Sequence, residues 1–299
     1  MPSWQDFEPF IVSGLALGGV YALSGVGMVV LYQATGVVYL AFGAVGAMGA
    51  LIAWSLINAH APGWVGWLVC VAFAALVTLA YGMVFGPALA KRDPLVKAVA
   101  TLGLTLVLFG LMDLLWTTSG GQSRAITLPT DNGGFMIGQI QVTWTQVISL
   151  ALGIVITVVT VVFLRLTKLG TAMRAMANDR EITATLGVPV RRVEAAAWLG
   201  CGILAGLAGV LLADLVALDA TTLTFLVISS LAATLIARLR SITITFVAAI
   251  VIGLVHDLLT PIQSLSNYRD ATPFVLAAIA LLVLSRGGGR VLTRSREEA

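Results

Sequence analysis

Charge is what this sequence has least of: only 10% of its 299 residues are Asp, Glu, Lys or Arg, while 59% are hydrophobic. Soluble domains carry roughly 25% charged residues. With a mean hydropathy of +1.01, the chain has too little polar surface to face water, which excludes a soluble globular class. Cysteine is almost as scarce. Cys70 and Cys201 both lie inside apolar runs, which gives neither a disulfide framework nor metal-ligand spacing; they read as small packing residues. The two histidines, His60 and His256, are far apart. No Ser/His/Asp grouping accompanies them, so no nucleophilic or metal-assisted catalysis is indicated. No glycine-rich loop ends in Gly-Lys-Ser/Thr, so phosphate-cradling chemistry has no seat here. The first ten residues hold Asp6 and Glu8 but no Lys or Arg, unlike a cleavable signal peptide. A net charge of +3 is too small to suggest nucleic-acid binding.

Long apolar runs are what the chain does have. A membrane crossing takes about 20 apolar residues, fewer where a segment is re-entrant or shielded by protein. Candidate segments are 10–31, 38–57, 64–90, 98–117, 143–165, 195–217, 222–237, 242–259 and 272–285. The expected fold is therefore an all-α, polytopic transmembrane bundle of about 8–10 segments, some short or re-entrant, with residues 1–299 forming one transmembrane domain. Thirty-one glycines suit close helix packing. Basic residues cluster at Lys91–Lys97, at Arg165–Arg192, at Arg238 and Arg240, and from Arg286 to Arg296, whereas 58–63 and 218–221 have none. The alternation predicts an external N-terminus and a cytoplasmic C-terminus. The loop 118–142 is then external, either a small hairpin that caps the face or a loose connector.

The inner segment 168–194 reads KLGTAMRAMANDREITATLGVPVRRVE. Met173, Met176 and Ala177 share one helical face. Asn178 is placed to cap a second short helix, with Glu181 at its third position. Gly187 and Pro189 then stop it. The segment is thus expected to form two short helices that either seat in a groove of a soluble motor or lie on anionic lipid.

The run GTAMRAMANDREITATLGVPVRRVEAAAWLGCGILAGLAGVLLA resembles the cytoplasmic loop and following span of the branched-chain amino acid ABC permease family. GLALGGVYALSGVGMVVLYQATGVVYLAFGAVGAMGA is similar to that family's first two membrane segments, and TLGLTLVLFGLMDLLW to its middle span. The likeness covers roughly Gly14 to Arg286. It implies an importer subunit of the bacterial inner membrane that forms half of a pathway for branched-chain amino acids or a related small polar or aromatic acid or amide. It also implies ABC ATPase subunits that hold ATP and Mg, a second homologous permease, an external substrate-binding protein and membrane lipid as partners, with no cofactor in this chain. Carried over residue by residue, ATPase coupling falls on Arg174, Asn178, Asp179, Arg180, Glu181 and Gly187.

Two departures from the family pattern stand out. Where the family commonly has an Asn-Phe-Ala-His-Gly-like stretch, this chain has Tyr39, Leu40, Ala41, Phe42 and Gly43. Two aromatics replace hydrogen-bonding groups; they are either packing residues or part of a passage for a more apolar or aromatic substrate. Tyr21 and Gln33, in the same resembling run, join Tyr39 and Phe42 as pathway candidates. Further on, a Gly-Gly-x-Gly-Ser turn of the family is here Ala237, Arg238, Leu239, Arg240 and Ser241. Asp113, Asp214 and Asp257 lie near the predicted outer ends of their segments. They are either hydrated interfacial carboxylates or an external rim for a binding protein. No acidic pair lies mid-span, which counts against the alternative reading, an ion-gradient-driven secondary transporter of a small organic solute. A weak similarity between 14–23 and 202–211 is compatible with inverted repeats.

Overall fold

The computed structural model describes residues 4–90, 92–116, 134–137, 140–216, 218, 220–261, 271–280 and 282. The described chain is helical apart from one short antiparallel β-hairpin. Its elements are α1 (Trp4–Thr35), α2 (Phe42–Asn58), α3 (Gly63–Leu89), α4 (Pro94–Trp116), β1 (Gly134–Ile137), β2 (Ile140–Thr143), α5 (Trp144–Leu166), α6 (Lys168–Asn178), α7 (Arg180–Thr185), α8 (Val190–Leu215), α9 (Ala220–Ile236) and α10 (Ile242–Leu258). An eleventh helix, α11, covers 272–280. Lys91, Arg124, Asp219, Arg269 and the arginines from Arg286 onward lie outside the described residues, as does most of 118–142.

Five helices are long and apolar enough to cross a bilayer: α1 from Phe7, α3, α4, α5 and α8. The apolar helices α2 and α10 are 17 residues each, about 26 Å, slightly short of a roughly 30 Å hydrocarbon core. α4 and α8 start earlier than their apolar runs alone suggest, whereas α2 starts at Phe42, four residues into its run. Pro94 opens α4 and brings Lys97 inside the helix, and α8 takes in Arg191, Arg192 and Glu194 before its apolar stretch. Proline suits a first helical turn, where its missing N–H would have no partner in any case.

α1 is the central post. It packs against α10, α5, α8 and α9, and 89% of its most apolar window is buried. Small residues permit this crowding. A Cβ added to Gly253 of α10 would sit 2.4 Å from the Gly18 amide nitrogen of α1, and one added to Gly209 of α8 would sit 2.4 Å from the Gly46 carbonyl of α2. Polar pins fix the antiparallel α1–α10 register at both ends. The Ser13 hydroxyl donates to the Asp257 carboxylate at one end, and Gln33 Nε2 donates to the Arg240 carbonyl at the other.

The β1–β2 hairpin pairs Gly134 with Thr143 and leads directly into α5. Thr143 caps that helix in a reciprocal box with Gln146. The bundle therefore has a hairpin end and, opposite it, an end that carries α6 and α7. Its flanks are apolar outward: Leu76 and Val84 of α3, Leu102 and Leu106 of α4, and Val155 and Val158 of α5 are all exposed. In water such a surface would be a liability; in hydrocarbon it matches its solvent.

Candidate functional site

The α6–α7 end holds the coupling candidates. α5 ends at Thr167, whose hydroxyl donates to the Phe163 carbonyl and accepts from the Gly170 amide, capping α6 after a single-residue turn. α6 is amphipathic, with Met173 and Met176 buried against the bundle and Arg174, Ala177 and Asn178 exposed.

The second short helix is capped one residue later than the sequence suggests. Asn178 is the last residue of α6, and the Asp179 carboxylate accepts from the amides of Glu181 and Ile182, both at 2.9 Å. Glu181 therefore occupies the second, not the third, helical position. An aspartate is the stronger choice, since its charge also complements the positive helix end. α7 ends through Gly187 at φ +82°, a conformation that glycine adopts freely. Arg180 folds back to Glu194 of α8 in a 2.9 Å ion pair. Ile182 and Leu186 are left 60% and 77% exposed at the tip.

Beside this projection, a cavity of about 690 Å³ lies between the end of α1, the last turns of α5, α6 and the start of α10. Gln33, Arg165, Arg174, Asn178 and Arg240 line it. Its far wall is the α9–α10 turn, where Arg238 and Leu239 take φ values of +53° and +56°. Left-handed backbone costs a non-glycine residue roughly 1–2 kcal/mol. The turn is nevertheless held by the Leu239 amide donating to the Thr234 carbonyl at 2.8 Å and by the Gln33–Arg240 hydrogen bond at 2.8 Å. The glycine that the resembling family often has at the position of Arg238 would take its angle without strain, whereas Leu239 stands at that motif's variable position.

Inside the bundle, residues 36–41 form a non-helical entry to α2. Thr101 of α4 grips it: its hydroxyl accepts from the Leu40 amide at 3.1 Å and faces the carbonyls of Val38 and Ala98. Tyr39 is fully buried, its ring edge-on to Trp198 at 5.3 Å and tilted to Tyr81 at 6.3 Å, its hydroxyl 3.4 Å from that of Thr78. Trp198 in turn fills the space left by Gly82, where a Cβ would sit 2.2 Å from the indole. Phe42 is buried against Gly27 of α1, and Tyr21 is buried within α1. Of the four pathway candidates, Gln33 lines the cavity at the α6–α7 end, and Phe42 lines a small apolar cavity between α2, α8 and α9.

Asp113, Asp214 and Asp257 are carried by α4, α8 and α10 toward the hairpin end. Thr101, Trp198 and Glu194 were not legible as site residues from sequence. Thr101 and Trp198 sit in apolar helical runs that carry no motif. Glu194 could have been found only through its fourteen-residue separation from Arg180, which no helical spacing rule connects.

The sequence profile of the family described as the permease component of branched-chain amino acid transport systems matches residues 10–284. The chain is 25% identical over 292 residues to the high-affinity branched-chain amino acid transport system permease protein LivH of Escherichia coli K12, covering 92% of each chain. It is 24% identical to BraD of Pseudomonas aeruginosa, covering 96% of this chain and 97% of that one. It is 27% identical to a probable LivH of Methanocaldococcus jannaschii, covering 85% and 81%. In fold it is similar to PsaBC from Streptococcus pneumoniae, solved in complex with a Fab, with a TM-score of 0.52 at 13% identity over 94% of this chain and 91% of that one. The match over nearly the whole chain, together with the multi-span helical architecture, shows that this protein belongs to the permease components of branched-chain amino acid ABC importers, a membrane transport subunit without catalysis of its own.

Proposed function

We propose that this chain forms half of an alternating-access pathway for branched-chain amino acids, driven by an ATPase that seats on α6 and α7. The observation that carries this reading is the α7 tip. Asp179 caps it, Arg180 braces it to α8, and Ile182 and Leu186 face outward. A braced helix with an apolar tip passes motion by rigid contact, and Glu194 lies in the first turns of α8, so a push on α7 is delivered to that long span. Arg174, Asn178, Glu181 and Gly187 complete the contact surface and its turn. The basic residues at this end support a cytoplasmic location for it; the hairpin, Asp113, Asp214 and Asp257 would then lie outside, where a substrate-binding protein would dock. A second, homologous permease chain would supply the other half of the pathway.

Branched-chain side chains head the substrate list because the relatives carry that name. Small aromatic acids or amides are the neighbouring class. The test is purification of the C-terminally tagged chain from native membranes, followed by ATP-driven uptake of labelled leucine into vesicles. Capture of an ATPase that is lost when Ile182 and Leu186 are changed to Ser, with uptake competed by valine and isoleucine, is the expected result. Uptake that follows an ion gradient and ignores ATP would overturn the reading in favour of a secondary carrier. Uptake competed by an aromatic acid or an amide but not by valine would move the substrate and leave the coupling intact.

A further inference from the structure

Three exposed arginines line the cavity at the α6–α7 end: Arg165 from the last turn of α5, Arg174 from α6 and Arg240 from the α9–α10 turn. Among the described residues, no acidic side chain lines the cavity and none of the three arginines is in an ion pair. The first turn of α10 adds to the positive field. Ser241 caps it through the Ile244 amide, while Ile242 and Thr243 face the cavity with the positive end of the helix dipole behind them. Each arginine has a separate local reason to be basic; α5, for example, gains from a cation at its C-terminus. Two consecutive helices and a turn remote from them in sequence nevertheless deliver like charges to one space of about 690 Å³. Such repulsion is relieved by an anion, and guanidinium forks match phosphate oxygens.

The walls point to the source of that phosphate. Val161 and Leu164 make one side apolar. Up the bundle from the cavity, α5 exposes Val155, Val158 and Val162, and α10 exposes Ile244, Val247 and Val251. Both sets follow three- and four-residue steps, so each forms a continuous apolar stripe along its helix. A soluble phosphate would use the arginines and leave the stripes idle. A phospholipid uses both, with its headgroup in the cavity and its acyl chains along the stripes.

We propose that this cavity is a binding site for the phosphate-bearing headgroup of an anionic phospholipid, placed against the helix that bears the coupling residues. Basic pockets between spans are a known means of holding such headgroups. An occupied site would bridge α5, α6 and α10, and so steady the base of the α6–α7 projection.

The test is native mass spectrometry of the full chain, with the subunits that co-purify, in mild detergent with added phosphatidylglycerol or phosphatidylcholine. The unaltered protein should retain phosphatidylglycerol in preference to phosphatidylcholine. The pair Arg165→Gln and Arg240→Gln should weaken that retention about tenfold to thirtyfold, as expected for two surface cations removed. The control pair Arg191→Gln and Arg192→Gln, exposed on α8 at the same end, removes equal charge away from the cavity and should leave retention unchanged. Equal retention of the two lipids by the unaltered protein overturns the proposal without any variant. Equal loss in both variant pairs overturns it in favour of diffuse attraction. Displacement of the lipid by millimolar inorganic phosphate would assign the site to a soluble anion, and exclusion of lipid whenever partner subunits are bound would assign the cavity to a protein contact.

Discussion

At the residue scale, the decisive positions are those where a side chain would have no room or where a hydroxyl holds backbone. Gly209 meets the Gly46 carbonyl so closely that one added methyl must displace backbone. Gly209→Ala is expected to destabilise by about 1–3 kcal/mol, seen as a lower melting temperature in detergent. Gly103→Ala meets nothing within 4 Å and should be neutral or stabilising by about 0.5–1 kcal/mol, as for any helical glycine in open space. If both substitutions behave alike, the α2–α8 crossing is not as close as described. Both glycines sit in similar apolar runs, so sequence could not rank them. Tyr39 was visible as a departure from the family pattern. That it is packed edge-on against Trp198 depends on α8 running past the entry to α2, a long-range fact with no local signal.

At the element scale, α7 is the least self-sufficient piece. It has six residues, far below the length at which an isolated helix holds in water. Its order depends on the Asp179 cap, the Arg180–Glu194 pair and the turn at Gly187. Asp179→Ala should remove about 1 kcal/mol of local stability and speed amide hydrogen exchange at Glu181 and Ile182, with exchange in α8 unaltered; Asp179→Asn should preserve most of the protection. Unchanged exchange in the alanine variant would show that α7 is held by packing and not by its cap. The two short helices and their stop were readable from residue type. The cap was read one position early, because Asn178 and Asp179 are adjacent and both are good caps. Only the path of the backbone selects between them.

At the scale of the whole molecule, the proposed orientation has the α6–α7 end in the cytoplasm and the α2–α3 turn outside. The native cysteines Cys70 and Cys201 are buried, so a single introduced thiol can report. Ala59 is exposed in the α2–α3 turn and Leu186 at the tip of α7. In intact cells, a membrane-impermeant maleimide should label Ala59→Cys and spare Leu186→Cys, with the latter labelled only after the membrane is opened. The reverse pattern would invert the orientation and, with it, the assignment of α6 and α7 to an internal ATPase.

Composition and hydrophobic run length by themselves determined that this is a multi-span helical membrane protein, because a bilayer admits few other solutions for so apolar a chain. The runs also located most of the spans, and motif likeness identified the family. Tertiary structure alone decided which helix is central, which glycines are crossings and which polar groups meet. Gln33 finds Arg240, Arg180 finds Glu194, and Thr101 grips the entry to α2. The physical reason is the range of the interactions. Partition into lipid is summed over each segment's own residues, so it is written locally. A close crossing or a hydrogen bond needs two segments brought to within a few ångströms, and neither segment carries the other's coordinates.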